Sequence, residues 1–307
     1  MKKMHRILAL MMALGMLLSL CACGGRELSF EERLQKAQEK ANGMHSQHMD
    51  VEMQLSMEMS VLGKSESVDM TMTMSTDTQK EPNVTRLETN VTVLGTTQKI
   101  LTYTEEVDGE LWTYMSMDGG HSWQKQSAAK AGLGSTADPM QIMGLFVKSA
   151  KGFEKTGTET VNGSEASVYS GVLDSSYFQE ILSMTGMESA LTEAGENLGM
   201  EDFAEAFRDL GEIPMTIAID DHSGRMVRYT MELTEAMQKL MQNIFDSVMG
   251  GNGVPGLSFT LKIGNCVATA TMSQFDSVPE IQIPEAARQA EEVEAPTEAG
   301  VSQAFHF

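Results

Sequence analysis

The stretch VEMQLSMEMSV, residues 51–61, decides the fold of this chain. Its apolar residues occupy every second position, and Glu, Gln or Ser fills the positions between them. Because successive side chains of a β-strand point to opposite faces, this alternation predicts a long antiparallel strand with one apolar and one polar face. Residues 68–74 (VDMTMTM) repeat the pattern after Gly63-Lys64-Ser65, which is typical of a turn. We therefore expect both segments to be strands of one sheet.

The same strand and turn signals continue through the chain. Further strands are predicted near residues 84–95, 98–107, 110–117, 122–127, 153–160, 165–172, 213–220 and 225–233. Asp108-Gly109 and Asn162-Gly163 are residue pairs typical of tight hairpins. Residues 257–276 predict a final long hairpin with its turn at Gly264-Asn265. About twelve strands, with helices inserted in blocks, predict an α+β fold on one large antiparallel sheet.

Helices are predicted where the apolar spacing changes from two residues to three or four. Ser29 and Glu32 have the spacing of a capping box, which predicts a helix over about 30–42 that ends at Gly43. A second clear helix is predicted after Thr234, because the apolar residues that follow it recur on one helical face. Further helices are predicted after Pro139 and within residues 174–209.

The charge balance and the missing motifs exclude several functions. The chain has 43 acidic residues against 22 Lys and Arg, a formal net charge of −21. Nucleic-acid binding needs a basic face, so nucleic acid is excluded as a partner. The sequence contains no Gly-x-Ser-x-Gly, His-Glu-x-x-His or phosphate-binding glycine-rich loop. We therefore expect no enzyme activity, no catalytic residues and no cofactor.

The first 25 residues predict export and lipidation. Three cations within the first six residues precede an apolar run over 7–20, the layout of a secretion signal. Leu, Ala and Gly at positions −3, −1 and +1 around Cys23 resemble the bacterial lipobox, in which the cysteine receives lipid and becomes the new N-terminus. Cys21 is the competing site, but the residue before it, Leu20, is bulkier than that family uses there. We expect a signal peptide over 1–22 and anchoring to the outer face of the cell membrane.

The mature chain divides into three segments. Residues 23–28 are predicted to be a lipidated tether, and residues 29–284 are predicted to form one folded domain. From residue 285 to 307 the chain is acidic and rich in Ala and Glu, which predicts a disordered tail.

Short segments along the chain carry a family resemblance. They are VNG at 161–163, VYSG at 168–171, the predicted hairpin over 219–228 and VPEIQIP at 278–284. With the lipobox and the capped helix, they resemble Gram-positive lipoproteins of the LolA/LppX-like superfamily over roughly 29–285. The resemblance implies a curved half-barrel sheet whose concave side, covered by helices, holds an acyl chain or another apolar ligand. It implies no catalytic residues.

Methionine is unusually common, with 27 in the chain, and many lie on the predicted apolar strand faces. Flexible thioethers there either fill a core or line an adaptable cavity. The predicted lining residues are Met53, Leu55, Met57, Met59, Met70, Met72, Met74, Met237 and Met241. Two hypotheses follow: a carrier that binds a lipid or acyl chain, or an interaction or sensor protein with a packed core that contacts another envelope protein.

A metal site is a minor alternative. Met44, His45, His48 and Met49 provide soft thioethers and imidazoles of the kind that bind Cu(I). No cysteine or acidic cluster accompanies them, so we favour apolar roles for the methionines and expect no resident metal.

Overall fold

A computed structural model gives the structure of the protein and describes residues 28–61, 64–127, 145–146, 148–185, 192, 206–207, 209–248 and 259–293. Its strands, numbered in chain order, are β1 Ser46–Val61, β2 Lys64–Lys80, β3 Asn83–Val93, β4 Thr96–Val107, β5 Glu110–Ser116, β6 Gln124–Ser127, β7 Ala150–Val161, β8 Ser164–Asp174, β9 Glu212–Asp220, β10 Met226–Glu232 and β11 Phe259–Ser273. The helices are α1 Phe30–Asn42, α2 Ser176–Thr185, α3 Thr234–Val248 and α4 Glu285–Arg288. The predicted signal peptide and Cys23 lie outside the described residues.

The strands form one antiparallel sheet. The eleven strands of the described residues pair in the order β6-β5-β4-β3-β2-β1-β11-β10-β9-β8-β7, and β6 and β7 at the two edges do not pair with each other. The predicted α+β half-barrel is confirmed, with eleven described strands in place of about twelve. The predicted hairpin at Asp108-Gly109 is also confirmed, because both residues have positive φ (55° and 81°), as its turn type requires.

The two ends of the domain meet at the centre of the sheet. β1 pairs with β2, so that Met53 lies opposite Met72, and on its other side β1 pairs with β11, so that Met53 lies opposite Ala268. Both strands extend beyond the predicted alternation, because β1 begins at Ser46 and β2 continues to Lys80. The pattern at 51–61 therefore identifies the central strand of the fold.

The predicted hairpin over 257–276 is wrong. β11 is a single strand that pairs with β1 from Phe259 to Ser273. Gly264 is an extra residue in this pairing, because Ser56 lies opposite Asn265 and the next residue of β1 lies opposite Ile263. A Cβ at Gly264 would lie 3.5 Å from Ser56 Oγ. Glycine is common in β-bulges as well as in turns. Because β1 pairs with β11 on both sides of Gly264, this glycine forms a bulge.

The predicted first helix is confirmed, with its capping box. In α1, Ser29 Oγ accepts a hydrogen bond from the backbone N–H of Glu32 at 3.2 Å, and the Glu32 carboxylate accepts one from the N–H of Ser29 at 2.9 Å. The N–H of Gly43 bonds back to the carbonyl of Glu39 at the other end. These caps satisfy backbone groups that every helix end leaves unpaired.

The main core lies between the helices and the sheet half that contains β7–β11. Phe30 and Leu34 of α1 and Leu240 of α3 pack with the buried strand residues Leu173 and Ile217. Phe30 also stacks on Phe153 of β7, with ring centroids 4.5 Å apart. The two helices thus hold one face of this sheet half.

The start of the predicted disordered tail is ordered. α4 buries Ala287 completely against a cluster that includes Tyr103 and Tyr114 of the other sheet half. Arg288 Nη2 lies 2.9 Å from Glu105 Oε2, and the N–H of Val293 bonds to a backbone carbonyl of β6. Residues 285–293 are held by few apolar contacts, too few to give a helical period in the sequence. Residues 294–307 lie outside the described part of the chain.

Candidate ligand-binding cavity

A cavity of about 460 Å³ lies between α1 and the face of the sheet formed by β8–β11 and β1. Among the described residues, six methionines line it: Met44, Met49, Met215, Met226, Met231 and Met272. Four described aromatic residues join them: Phe146, Tyr177, Tyr229 and Phe275. The described polar lining residues are Lys40, Gln47 and Arg225. Small-molecule sites typically have volumes of about 300–1,000 Å³, so this cavity has the size and the apolar lining of a ligand site.

Strand pairing brings the lining methionines together from distant parts of the chain. Met49 of β1 lies opposite Met272 of β11, and Met215 of β9 lies opposite Met231 of β10. Between these pairs β11 carries small residues, since Ala268 lies opposite Met231. Because opposite residues on one sheet face have neighbouring side chains, the register brings these thioethers together on the sheet side of the cavity.

The predicted lining residues of β1 and β2 lie on the same sheet face as the cavity but outside its lining, and Met237 and Met241 lie on α3. Leu55, Met57 and Met70 pack with Ile263 and Cys266 against Met237 and Met241 of α3. Met53, Met59, Met72 and Met74 are half-buried on β1 and β2. The structure thus brings part of the predicted set together as core, and a different group of methionines lines the cavity.

Backbone hydrogen bonding explains why α3 covers those residues. β10 pairs with β11 only as far as Val267, and α3 follows directly. Thr234 Oγ1 accepts the N–H of Cys266 at 2.9 Å, and Gln238 Oε1 accepts the N–H of Ile263 at 2.7 Å. Buried backbone N–H groups need partners, so these side chains hold α3 over the end of β11.

The structure places His48 apart from the two methionines of the minor copper alternative. Met44 and Met49 line the cavity, while His48 precedes Met49 on β1 and therefore points to the opposite face. There His48 Nδ1 lies 2.7 Å from Asp77 Oδ1, and its Nε2 lies 3.0 Å from an oxygen of Asp50. Burial lowers the pKa of His48, but the hydrogen bonds to both aspartates outweigh burial and raise it. Among the described residues, no group of three or more His, Cys, Asp or Glu could hold a metal ion.

The cavity has neutral hydroxyl groups inside and charges at one end. Burial raises the pKa of Tyr177 to about 12 and also raises that of Tyr229, so both phenols stay protonated. Arg225 Nη2 lies 2.8 Å from Asp276 Oδ2, and its guanidinium lies 4.8 Å from the centroid of the Phe275 ring. Hydrogen bonds from the N–H of His45 and from Arg225 lower the pKa of Asp276. The cavity therefore offers apolar contacts and hydrogen-bond donors.

The buried cysteine beside this region has no features of a nucleophile. Cys266 is 1% exposed and lies in the core beneath α3. Burial raises the pKa of its thiol, and the nearby charge of Glu232 raises it further. A thiol in such surroundings stays protonated and unreactive.

Comparisons with known proteins concern both sequence and fold. The model of a family of unknown function, DUF6612, matches residues 29–164. No curated protein matches the chain. The fold is similar to that of the Mycobacterium tuberculosis lipoprotein LppX, with 12% identity and a TM-score of 0.41 over 82% of this chain and 97% of LppX.

Two further solved structures are also similar. LprF from Mycobacterium bovis has 16% identity and a TM-score of 0.42, over 84% of this chain and 96% of LprF. A putative outer membrane lipoprotein-sorting protein domain from Vibrio parahaemolyticus has 10% identity and a TM-score of 0.21, over 80% of this chain and 93% of that domain.

Proposed function

We propose that this protein is a lipid-anchored protein of the cell envelope that binds an apolar ligand, such as a lipid or acyl chain, and catalyses no reaction. The cavity of about 460 Å³ carries this proposal, because methionine and aromatic side chains dominate its lining. Methionine side chains are flexible and polarisable, so they adapt to apolar ligands of varied shape. Aromatic rings add large apolar contact area.

The expected affinity follows from the apolar surface that a ligand would bury. Each buried methylene group contributes about 0.8 kcal/mol, so the roughly fifteen that the cavity volume allows contribute about 12 kcal/mol before the costs of binding. A preformed cavity keeps the cost of association near its low end, about 4 kcal/mol, which leaves about 8 kcal/mol and an affinity around the micromolar range.

The second hypothesis was an interaction or sensor protein with a packed core. A core without a cavity would leave no place for an apolar ligand, whereas space remains between α1 and the sheet. This observation favours the ligand-binding hypothesis.

Native mass spectrometry and a dye titration test the proposal together. The protein is produced without residues 1–23, so that no lipid is attached to it. We expect an added mass of an apolar molecule on part of the protein, and saturable binding of the neutral dye N-phenyl-1-naphthylamine after extraction with organic solvent. A protein that has only its own mass and binds no dye would contradict the proposal.

Anchoring rests on the lipobox around Cys23 and has its own test. Within the described ranges no helix is long and apolar enough to cross a membrane. Radiolabelled palmitate fed to producing cells should label the protein, and Cys23→Ala should abolish labelling and release the protein from membranes. Cys21→Ala is the matched control and should change neither result. Labelling that survives Cys23→Ala but not Cys21→Ala would assign the anchor to the other cysteine.

A further inference from the structure

We propose that the ligand is a single-chain amphiphile with an anionic head group, a carboxylate or a phosphate, and that Lys40 and Arg225 bind that head group at one end of the cavity. This inference rests on the proposed function and specifies its ligand class. Two observations carry it: the charge of the cavity lining and its volume.

The lining charges have the opposite sign to the chain as a whole. Acidic residues outnumber Lys and Arg by 43 to 22 in the sequence. The described lining of the cavity nevertheless contains Lys40 and Arg225 and no acidic residue; Arg225 pairs with Asp276 beside the lining, and Lys40 provides the positive charge that has no such pair. A cationic site in an acidic protein attracts an anionic group locally, and charge-assisted hydrogen bonds to carboxylate or phosphate are the strong kind.

Contacts place both cations near the C-terminal end of α1. Lys40 belongs to the last turn of α1. Arg225 Nη2 lies 2.8 Å from Asp276 Oδ2, and the other oxygen of Asp276 accepts the N–H of His45 at 2.7 Å. Asp276 therefore connects Arg225 to the segment that follows α1, and one head group at this end would lie near both side chains.

The other charged groups near this end of α1, Lys80 and Asp276, already have partners. The ammonium group of Lys80 donates to the carbonyl of Asn42 at 2.9 Å, which caps the negative end of α1. The two oxygens of Asp276 are both occupied, and only one of the five N–H donors of Arg225 is needed for this pair. Within the described residues the ammonium group of Lys40 forms neither a hydrogen bond nor an ion pair. Donors therefore remain for a ligand.

The volume favours one acyl chain over two. A water molecule occupies about 30 Å³ in the liquid and a methylene group is of similar size, so a cavity of about 460 Å³ holds roughly fifteen such groups. That is the size of one fatty acyl chain. A diacyl lipid would need about twice this space.

Displacement of N-phenyl-1-naphthylamine from the solvent-extracted protein tests the head-group preference. The competitors are palmitate, lysophosphatidylglycerol, neutral monopalmitoylglycerol and dipalmitoylphosphatidylglycerol. We expect at least one single-chain anion to bind about tenfold more tightly than monopalmitoylglycerol, and the diacyl lipid to bind more weakly. A preference for palmitate alone would indicate a free fatty acid, and one for lysophosphatidylglycerol alone would indicate a phospholipid head group.

Two charge variants test whether Lys40 causes the preference for anionic ligands. Lys40→Met should weaken binding of the single-chain anions and so remove most of their tenfold preference over monopalmitoylglycerol. Lys36→Met is the matched control: it removes the same charge one turn earlier on α1 at an exposed position outside the lining, and it should keep the preference. Thermal unfolding should be similar for both variants, since both lysines are exposed.

The outcomes separate this inference from the proposed function. Equal affinity for anionic and neutral single-chain ligands, or an unchanged preference in Lys40→Met, would overturn the head-group assignment while the apolar site stands. Tight binding of the diacyl lipid would overturn the single-chain assignment. Failure of the dye and of every competitor to bind would overturn both the inference and the proposed function.

Discussion

Replacing Ala41 with tryptophan should fill much of the cavity and weaken ligand binding by about three orders of magnitude. Ala41 lies on the face of α1 that lines the cavity, and its side chain is only partly buried. An added indole group therefore has space to enter without displacing core residues. We expect α1 to remain folded.

The magnitude follows from the space that the indole group takes. It occupies the volume of roughly five methylene groups, at about 30 Å³ each. Excluding five methylene groups of the ligand removes about 4 kcal/mol of burial at about 0.8 kcal/mol each. Since about 1.4 kcal/mol corresponds to a tenfold change, the affinity should fall about 1,000-fold.

Dye titration of the solvent-extracted protein measures this affinity, with thermal unfolding as a check on the fold. Gln35→Trp is the matched control, because it places the same residue on an exposed position of the same helix. The control should bind the dye as the wild type does. Wild-type affinity in Ala41→Trp, with an unchanged unfolding temperature, would show that the ligand binds elsewhere.

Three further predictions concern stability. The pKa of His48 is raised in the folded state, so its stabilising contribution is complete below pH about 6.5 and disappears as the pH rises through the folded-state pKa. His48→Gln should therefore lower the unfolding temperature more at about pH 5.5 than at about pH 9. An equal decrease at both pH values would contradict this prediction. Gly171→Ala should destabilise the protein by about 1–3 kcal/mol in urea unfolding, because the new Cβ would lie 2.5 Å from the Phe153 ring and 2.8 Å from the carbonyl oxygen of Lys151. Unchanged stability would show that β7 and β8 shift apart at little cost. Ala287→Asp should lower the free energy of unfolding by about 1–3 kcal/mol and speed amide hydrogen exchange in β5 and β6, because it places a carboxylate at a fully buried position. Wild-type exchange rates in these two strands would contradict the packing of α4.

Features that depend on neighbouring residues could be predicted from the sequence. The alternation at 51–61 predicts a strand, and the Ser29 and Glu32 spacing predicts the start of α1, because side-chain direction and cap bonds are local properties. The type of sheet followed from the number and spacing of such segments. The wrong hairpin at Gly264-Asn265 shows the limit, because a turn and a bulge use the same residues and only the partner strand distinguishes them.

The cavity lining depends on strand register and on where α3 lies. Alternation alone places Met53 and Met272 on apolar faces, but it does not reveal that Met272 lies opposite Met49 beside the cavity. It also does not reveal that α3, held to β11 through Gln238, covers Met57. These outcomes depend on contacts between residues that are far apart in the chain.

Residue order alone was enough for the strand periods at 51–61 and 68–74 and for the cap of α1, because each of these depends on a few adjacent residues. Only the folded chain decided which methionines became core and which line the cavity, and that Lys40 and Arg225 both belong to its lining. The physical reason is that burial and charge proximity depend on distances between segments, which sheet pairing determines.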